Sequence, residues 1–367
     1  MKINFLDLKA QYDSIKTEID EAIGQVINSS SFVLGPAVAR FEEDFARFCR
    51  CGQTVAVNSG TSALFLTMKG LDIGPGDEVI TAANTFMATA AAIIYTGATP
   101  VLVDVDPVTS NIDLSKIEEA ITSKTRVIIP VHLYGCMVDM EKLNVIAGKH
   151  NLIVIEDACQ AHGAGFKGKP AGSFGLAGCF SFYPGKNLGA YGEGGAVVTS
   201  DIKLAATIRK LRDHGSDRKY HHDLIGYNAR MDGIQGAVLG VKLKHLEEWN
   251  KQRNRVAARY RRNLRDLPVV LPGEFPDCYP VYHLFVIEVD DRDGLQNFLS
   301  ESGIPTLIHY PIPIHRQKGY LEAGYAAGHY PITERLSGRI LSLPIYPELA
   351  DEQVGFISSK IREFLGK

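Results

Sequence analysis

"SFYPGKNLGAYGEGGAVVT", residues 181–199, sets one lysine, Lys186, among five glycines and almost no other charge. A solvated loop lysine needs neither the glycines nor the bare surroundings. What this ammonium is for depends on the groups that the rest of the chain brings to it.

The surrounding pattern is α/β. After Gly60, the runs "EVITA", "TPVLVDV", "TRVIIPVHL" and "LIVIEDA" are short, β-branched and nearly unbroken, with helix-like segments between them. Such runs suit strands buried on both faces of a mostly parallel sheet. In sheets of this kind, chemistry collects just past the carboxyl ends of the strands. The uncharged stretch from Val79 to Val103 is long enough by count to span a bilayer. Asn84, five threonines, Gly97 and Pro100 interrupt it, so it reads as strand, loop, helix and strand inside a core. Residues 14–29 and 38–50 carry apolar positions at helical spacing. Residues 234–267 form a long amphipathic pattern that predicts one helix joining two domains. Beyond it, "HLFVIEV", "TLIHY" and "RILSLPIY" alternate with helical segments and predict a smaller α/β domain. The division expected is a large domain over 1–240 and a small C-terminal domain over 241–367.

The chain has 367 residues, 45% hydrophobic and 22% charged, with a net charge of −3 and no basic block. A nucleic-acid partner would leave a clustered positive footprint, so none is expected. Six scattered cysteines never form a C-x-x-C pair, which favours buried thiols in a reducing compartment over a disulfide framework or a metal site. "MKINFLDLKAQYD" meets charge too early for a signal peptide. The expectation is a soluble cytoplasmic protein without membrane or metal.

Four features should meet Lys186 at the strand ends. In "NSGTSALFL", Ser59, Gly60, Thr61 and Ser62 precede an apolar helical run, placing N–H groups and hydroxyls where an anion binds. An ordinary N-cap would need only one of these residues. In "LIVIEDACQAHGA", Asp157 follows a buried strand and is carried into the crevice as a cap, a metal ligand or the partner of a cationic ring nitrogen. Glu156 points to the other face, which counts against a metal, and His162 reads as a core residue. Phe86 lies just past "EVITA", as core or as a flat face for an aromatic ring. Ser181 ends the apolar segment "GCFSF", where its hydroxyl can join a phosphate cup.

A phosphate cup, a stacking ring, an acid for a pyridinium nitrogen and an isolated lysine are what pyridoxal 5′-phosphate (PLP) requires. A sparsely charged, partly dry pocket lowers the lysine pKa enough for Schiff-base chemistry. The glycines let backbone approach the cofactor and let the lysine swing away.

On "NSGTSAL", "EDACQAHGA", "FSFYPGKNLGAYGEGGAVVT" and "GYNARMD", the chain resembles the DegT/DnrJ/EryC1/StrS family of PLP-dependent nucleotide-sugar aminotransferases, within the aspartate-aminotransferase-like fold type I. The resemblance runs from "FLDLKAQY" into the C-terminal domain. It implies that Lys186 carries the cofactor, Asp157 pairs with the ring nitrogen and Gln160 hydrogen-bonds the ring hydroxyl. By the same resemblance Ser59, Gly60, Thr61 and Ser181 belong to the phosphate cup and Phe86 stacks on the ring. Asn228 is expected to reach the phosphate in a neighbouring subunit, which implies a homodimer with shared sites. Tyr183, His309, Tyr310 and His315 are candidates for the nucleotide-sugar side, with buried aromatics and hinge prolines in "HYPIPIH" as the alternative reading.

The implied reaction moves an amino group from L-glutamate to a nucleotide-linked keto sugar. Tyr183 stands where many relatives acting on 4-keto sugars have histidine. That resembles the 3-amino branch and implies a dTDP-linked 3-keto-6-deoxyhexose giving a 3-amino-3,6-dideoxy sugar. The alternatives are a 4-keto or UDP-linked substrate, a PLP dehydratase or aminoshikimate-type synthase, and a non-catalytic PLP-binding regulator. A dinucleotide-dependent dehydrogenase would need a G-x-G-x-x-G after a strand, and the chain has none.

Overall fold

The computed structural model describes residues 3–273 and 275–366. Three helices open the chain: α1 (Leu8–Ser14), α2 (Lys16–Ser29) and α3 (Gly35–Phe48). The central sheet has seven strands: β1 (Gln53–Val57), β2 (Glu78–Ala82), β3 (Thr99–Val103), β4 (Thr125–Ile129), β5 (Ile153–Asp157), β6 (Ala177–Ser181) and β7 (Gly195–Thr199). Their order across the sheet is β1-β7-β6-β5-β4-β2-β3. Strand β7 runs antiparallel to both neighbours, β1 and β6, and the other neighbouring pairs are parallel. The mostly parallel sheet expected from the apolar runs is what the chain forms.

Successive side chains of a strand point to opposite faces, so an apolar run loads both. Val55, Val79, Val127, Ile129 and Ile155 pack with α4 (Gly60–Gly70) and α5 (Met87–Thr96) on one side. Ala56, Ile80, Ile128 and Val154 pack with Phe41 and Phe45 of α3 on the other. The uncharged stretch from 79 to 103 resolves into β2, α5 and β3. Gly97 ends α5 at φ 88°, the left-handed cap that glycine adopts without strain. Among the described residues, no helix is long and apolar enough to cross a membrane.

The pattern over 234–267 divides into two helices, Gly233–Leu243 and Leu246–Leu264, where one was expected. The two helices share cores near the break, where Trp249 packs with Val238 and Val241, and part beyond it. Val238 and Val241 pack against α2, while Val256, Tyr260 and Leu264 pack with Phe285, Leu295, Leu341 and Ile357. In the C-terminal region Phe285–Glu288 pairs antiparallel with Ile340–Leu343. "TLIHY" contributes only one bridge, Leu307 to Ser342. Pro305 and Pro311 flank it, and proline has no N–H to extend a ladder.

Candidate active site

The carboxyl ends of β2, β5 and β6 open onto one cavity of about 600 Å3. It is lined by Ser59, Gly60, Thr61, Phe86, Asp157, Gln160, Ser181, Tyr183, Lys186, His309 and Tyr310, eleven of the thirteen candidates from the sequence. Helix α4 begins at its wall. Ser59 is the N-cap, its Oγ accepting from Ser62 N at 3.1 Å, so the first turn aims free N–H groups at the cavity. Gly60 is glycine because a Cβ there would stand 2.7 Å from Ser181 Cβ and 2.8 Å from Cys159 Sγ. The close approach brings the helix N-terminus and the Ser181 hydroxyl to one spot.

Asp157 ends β5 with only 5% exposure. Its Oδ2 accepts from Thr89 Oγ1 at 2.8 Å and its Oδ1 from Cys159 N at 3.2 Å. Glu156, one residue earlier, points to the opposite face. It accepts from Gly172, Phe174 and Gly175 N–H groups and pairs with His132 Nε2 at 2.9 Å. Those donors consume the Glu156 carboxylate in structure, so of these two carboxylates it is Asp157 that faces the cavity.

Lys186 follows a short turn closed by its own N–H to Tyr183 O at 2.8 Å. Desolvation lowers its ammonium pKa below the usual lysine range, against the opposing pull of Cys159 and Asp157. Its neighbour Asn187 is a buried anchor, donating to Asn250 Oδ1 and Val281 O. Lys242, fully buried, donates to Gly189 O at 2.8 Å and lies over the Tyr191 ring; burial drops its pKa to about 8. The lysine loop is therefore fixed at both ends.

On the opposite wall, Gln160 Oε1 accepts from Tyr134 N at 2.7 Å and its Nε2 donates to Tyr310 Oη at 3.1 Å. The Tyr134 N–H fixes which end of the amide faces the cavity, since an N–H can bond only the amide oxygen. The Phe86 ring is 56% exposed and lies 5.6 Å from the Tyr310 ring, so it offers a flat face. Tyr183 is 55% exposed at the mouth. Burial pushes His309 down to about 4, keeping its imidazole neutral at pH 7, and Nδ1 meets Ser342 Oγ at 2.8 Å.

Two candidates lie elsewhere. His315 was expected on the sugar side, but its imidazole is fully buried, 2.9 Å from Glu334 Oε1 and packed on Tyr330. The ring turns toward Tyr330 and Glu334, away from the cavity. Asn228 is exposed and outside the cavity of its own chain; its backbone oxygen takes a long 3.5 Å contact from Asn58 Nδ2. Sequence reasoning also passed over Thr89, Tyr134 and Asn187, and over Arg253 and His283, which line the same cavity. Of these, only Thr89 left a signal: it lies three residues after Phe86, on the helix that Phe86 starts.

An anion site at a helix N-terminus, a buried carboxylate at a strand end and a desolvated amine converge here from different elements. The Gly60 approach, the bare Phe86 face and the Gln160 amide fit the phosphate, ring and ring hydroxyl of PLP. A fold type I enzyme dependent on that cofactor is built in this way, and the chain is such an enzyme. It belongs to the DegT/DnrJ/EryC1/StrS aminotransferase family, whose model matches residues 13–362. The chain is 46% identical over 367 residues to a "pleiotropic regulatory protein" of Geobacillus stearothermophilus, covering 99% of both. It is 44% identical over 364 residues to dTDP-3-amino-3,4,6-trideoxy-alpha-D-glucose transaminase of Streptomyces venezuelae, covering 99% of this chain and 96% of that one. The crystal structure of S. venezuelae DesV in complex with a ketimine intermediate superposes with a TM-score of 0.97 at 44% identity, covering 100% of this chain and 99% of the other.

Proposed function

We propose that this aminotransferase moves an amino group from L-glutamate to the ketone of a dTDP-linked 3-keto-6-deoxyhexose, giving the 3-amino-3,6-dideoxy sugar. The observation that carries this reading is Lys186 and Asp157 facing one cavity whose mouth presents Tyr183, with a 3-amino-sugar transaminase among its relatives. The bound cofactor supplies an electron sink that makes the C–H beside the reacting nitrogen acidic. With that cofactor in place, Lys186 Nζ, held toward its neutral form by desolvation, would be the base that accepts and gives back this proton. Asp157 keeps a proton on the ring nitrogen, and Thr89 with the Cys159 N–H holds the carboxylate in place. Ser59, Gly60, Thr61 and Ser181 would hold the phosphate, Phe86 would stack on the ring, and Gln160 would donate to the ring hydroxyl. Tyr183 positions the sugar through its phenol, which cannot change charge near neutral pH as a histidine there could. His309 and Tyr310 serve the sugar nucleotide by hydrogen bonding. The His309 contribution carries no charge at pH 7.

The working unit in this reading is a cytoplasmic homodimer. Asn228 is exposed and cannot serve its own cavity, which supports a role at the partner's phosphate. The regulator reading rests on the name of one relative. The desolvated lysine and the buried carboxylate favour catalysis, because binding alone needs neither.

Steady-state rates with matched 3-keto and 4-keto sugars, each on dTDP and UDP, test the assignment. The expected order places the dTDP 3-keto sugar first. A higher kcat/KM for a 4-keto sugar overturns the position of the ketone, and no turnover with any of them overturns the 6-deoxyhexose substrate class. Thymine and uracil differ by one methyl, worth about 1–3 kcal/mol in an apolar pocket, so the base preference should be smaller than the ketone preference.

A further inference from the structure

Behind the Gln160 wall, two cysteines that the transamination does not use lie side by side. Cys136 Sγ and Cys278 Sγ are 3.7 Å apart, although 142 positions separate them in the chain. Both side chains are half-buried and both thiols are free. Cys136 lines a small cavity of about 50 Å3 between residues 107–110 on one side and residues 270–273 with Pro280 and Tyr282 on the other, room for a molecule little larger than water. A disulfide bond is about 2.05 Å long, so each sulfur needs to move by less than ~1 Å to close one.

We propose that Cys136 and Cys278 are a redox-sensitive pair, oxidised by a hydroperoxide to an intramolecular disulfide that displaces the turn holding Gln160. Either sulfur can donate across this contact, and the steps are written with Cys278 as the first to lose its proton. The contact with Cys136, helped by the Met137 N–H and opposed by burial, favours the thiolate of Cys278, while the same contact and burial disfavour that of Cys136. The Cys278 thiolate attacks a peroxide oxygen, the O–O bond breaks, and the leaving oxygen departs as water or alcohol after taking up a proton. Cys136 sulfur then attacks the resulting sulfenic acid at sulfur, forming S–S and expelling the second oxygen as water with the Cys136 proton. The two thiols lose two electrons and the peroxide gains them.

The link to the active site is steric. Cys136 N closes the turn on Leu133 O at 3.1 Å, and the turn carries Tyr134, whose N–H holds Gln160. Gly135 at φ 92° is wedged so tightly that an added Cβ would stand 2.9 Å from Val281 Cγ2 and 3.1 Å from Gln160 O. Val281 N donates to Gly135 O at 3.0 Å, three residues after Cys278. Because the turn is packed this closely, even the sub-ångström shift of Cys136 is expected to bear on Tyr134 and, through its N–H, on Gln160.

The test is limited oxidation of the holoenzyme with hydrogen peroxide, followed by peptide mapping without reductant, thiol titration and steady-state kinetics. The expected result is one cross-linked 136–278 peptide, loss of two of the six thiols, and a fall in kcat/KM of about tenfold or more, reversed by dithiothreitol. Cys136→Ser and Cys278→Ser should keep the reduced activity and resist the peroxide. Oxidation confined to other cysteines overturns the proposal, as does a 136–278 cross-link that leaves kcat/KM unchanged. The cross-link and the thiol count are read without substrate, so a failure there is distinct from a failure of the proposed sugar, which only the kcat/KM reading depends on.

Discussion

Replacing Thr89 by valine keeps shape and removes one hydroxyl, which isolates what holds Asp157. The Thr89 Oγ1 donates to Asp157 Oδ2 at 2.8 Å and therefore accepts from Thr85 Oγ1 at 3.0 Å. Asp157 is buried, so no water replaces the missing donor, and the carboxylate keeps only the longer bond from Cys159 N. A hydrogen bond to a charged group contributes about 1.5–3 kcal/mol. If the Thr89 bond serves to aim the carboxylate at the ring nitrogen, its loss appears in the barrier at about 1.4 kcal/mol per tenfold. The expected fall in kcat/KM is then about ten- to 150-fold for Thr89→Val, with cofactor still bound and melting temperature lowered. Thr89→Ser, which restores the donor, should recover most of the loss. Steady-state kinetics on the keto sugar, with cofactor content read by absorbance, decide it. Wild-type kcat/KM in the valine variant would show that the Cys159 N–H alone positions Asp157, and the reasoning from the hydroxyl would fail.

Borohydride should fix PLP covalently to Lys186 in the wild type and to nothing in Lys186→Ala; a labelled peptide from another lysine would remove Lys186 from its role. Mixing an Asn228→Ala protein with a Lys186→Ala protein under subunit exchange should restore activity through hybrid dimers with one intact site, and a mixture that exchanges yet stays inactive would place Asn228 outside the partner's site. His162, buried against Phe180 and Phe182, has its pKa pushed down to about 3 by desolvation, with Lys186 adding to the effect. An unfolded histidine takes a proton below about pH 6.5 and this one does not, so each pH unit below 6.5 costs up to about 1.4 kcal/mol of stability. His162→Gln should flatten the acid limb of melting temperature against pH between 6.5 and 4; parallel limbs for the two proteins would exclude His162 as the cause.

Much of the architecture follows from local chemistry that a sequence states directly. The apolar runs at 78–82, 125–129 and 153–157 load both faces of a strand, so a sheet covered on both sides is the way to bury them. The glycines around Lys186 and the small polar residues before α4 likewise announce close backbone approach and a helix start. Where a side chain went was decided by packing between distant segments. Helical periodicity over 234–267 could not show the break at residues 244–245, because the two helices share a core near it and part only beyond, while the pattern continues unchanged. His315 and His309 looked alike in "HYPIPIH", yet one is drawn under Tyr330 by Glu334 and the other faces the cavity. Thr89, Tyr134 and Asn187 gain their importance only from partners 68, 26 and 63 residues away, and Cys136 from one 142 residues away. The sequence by itself determined the sheet, the lysine and the carboxylate, because burial and backbone clearance are local demands. The tertiary structure decided which hydroxyl, amide and thiol stand beside them, because hydrogen bonds and sulfur contacts depend on distances that only the folded chain sets.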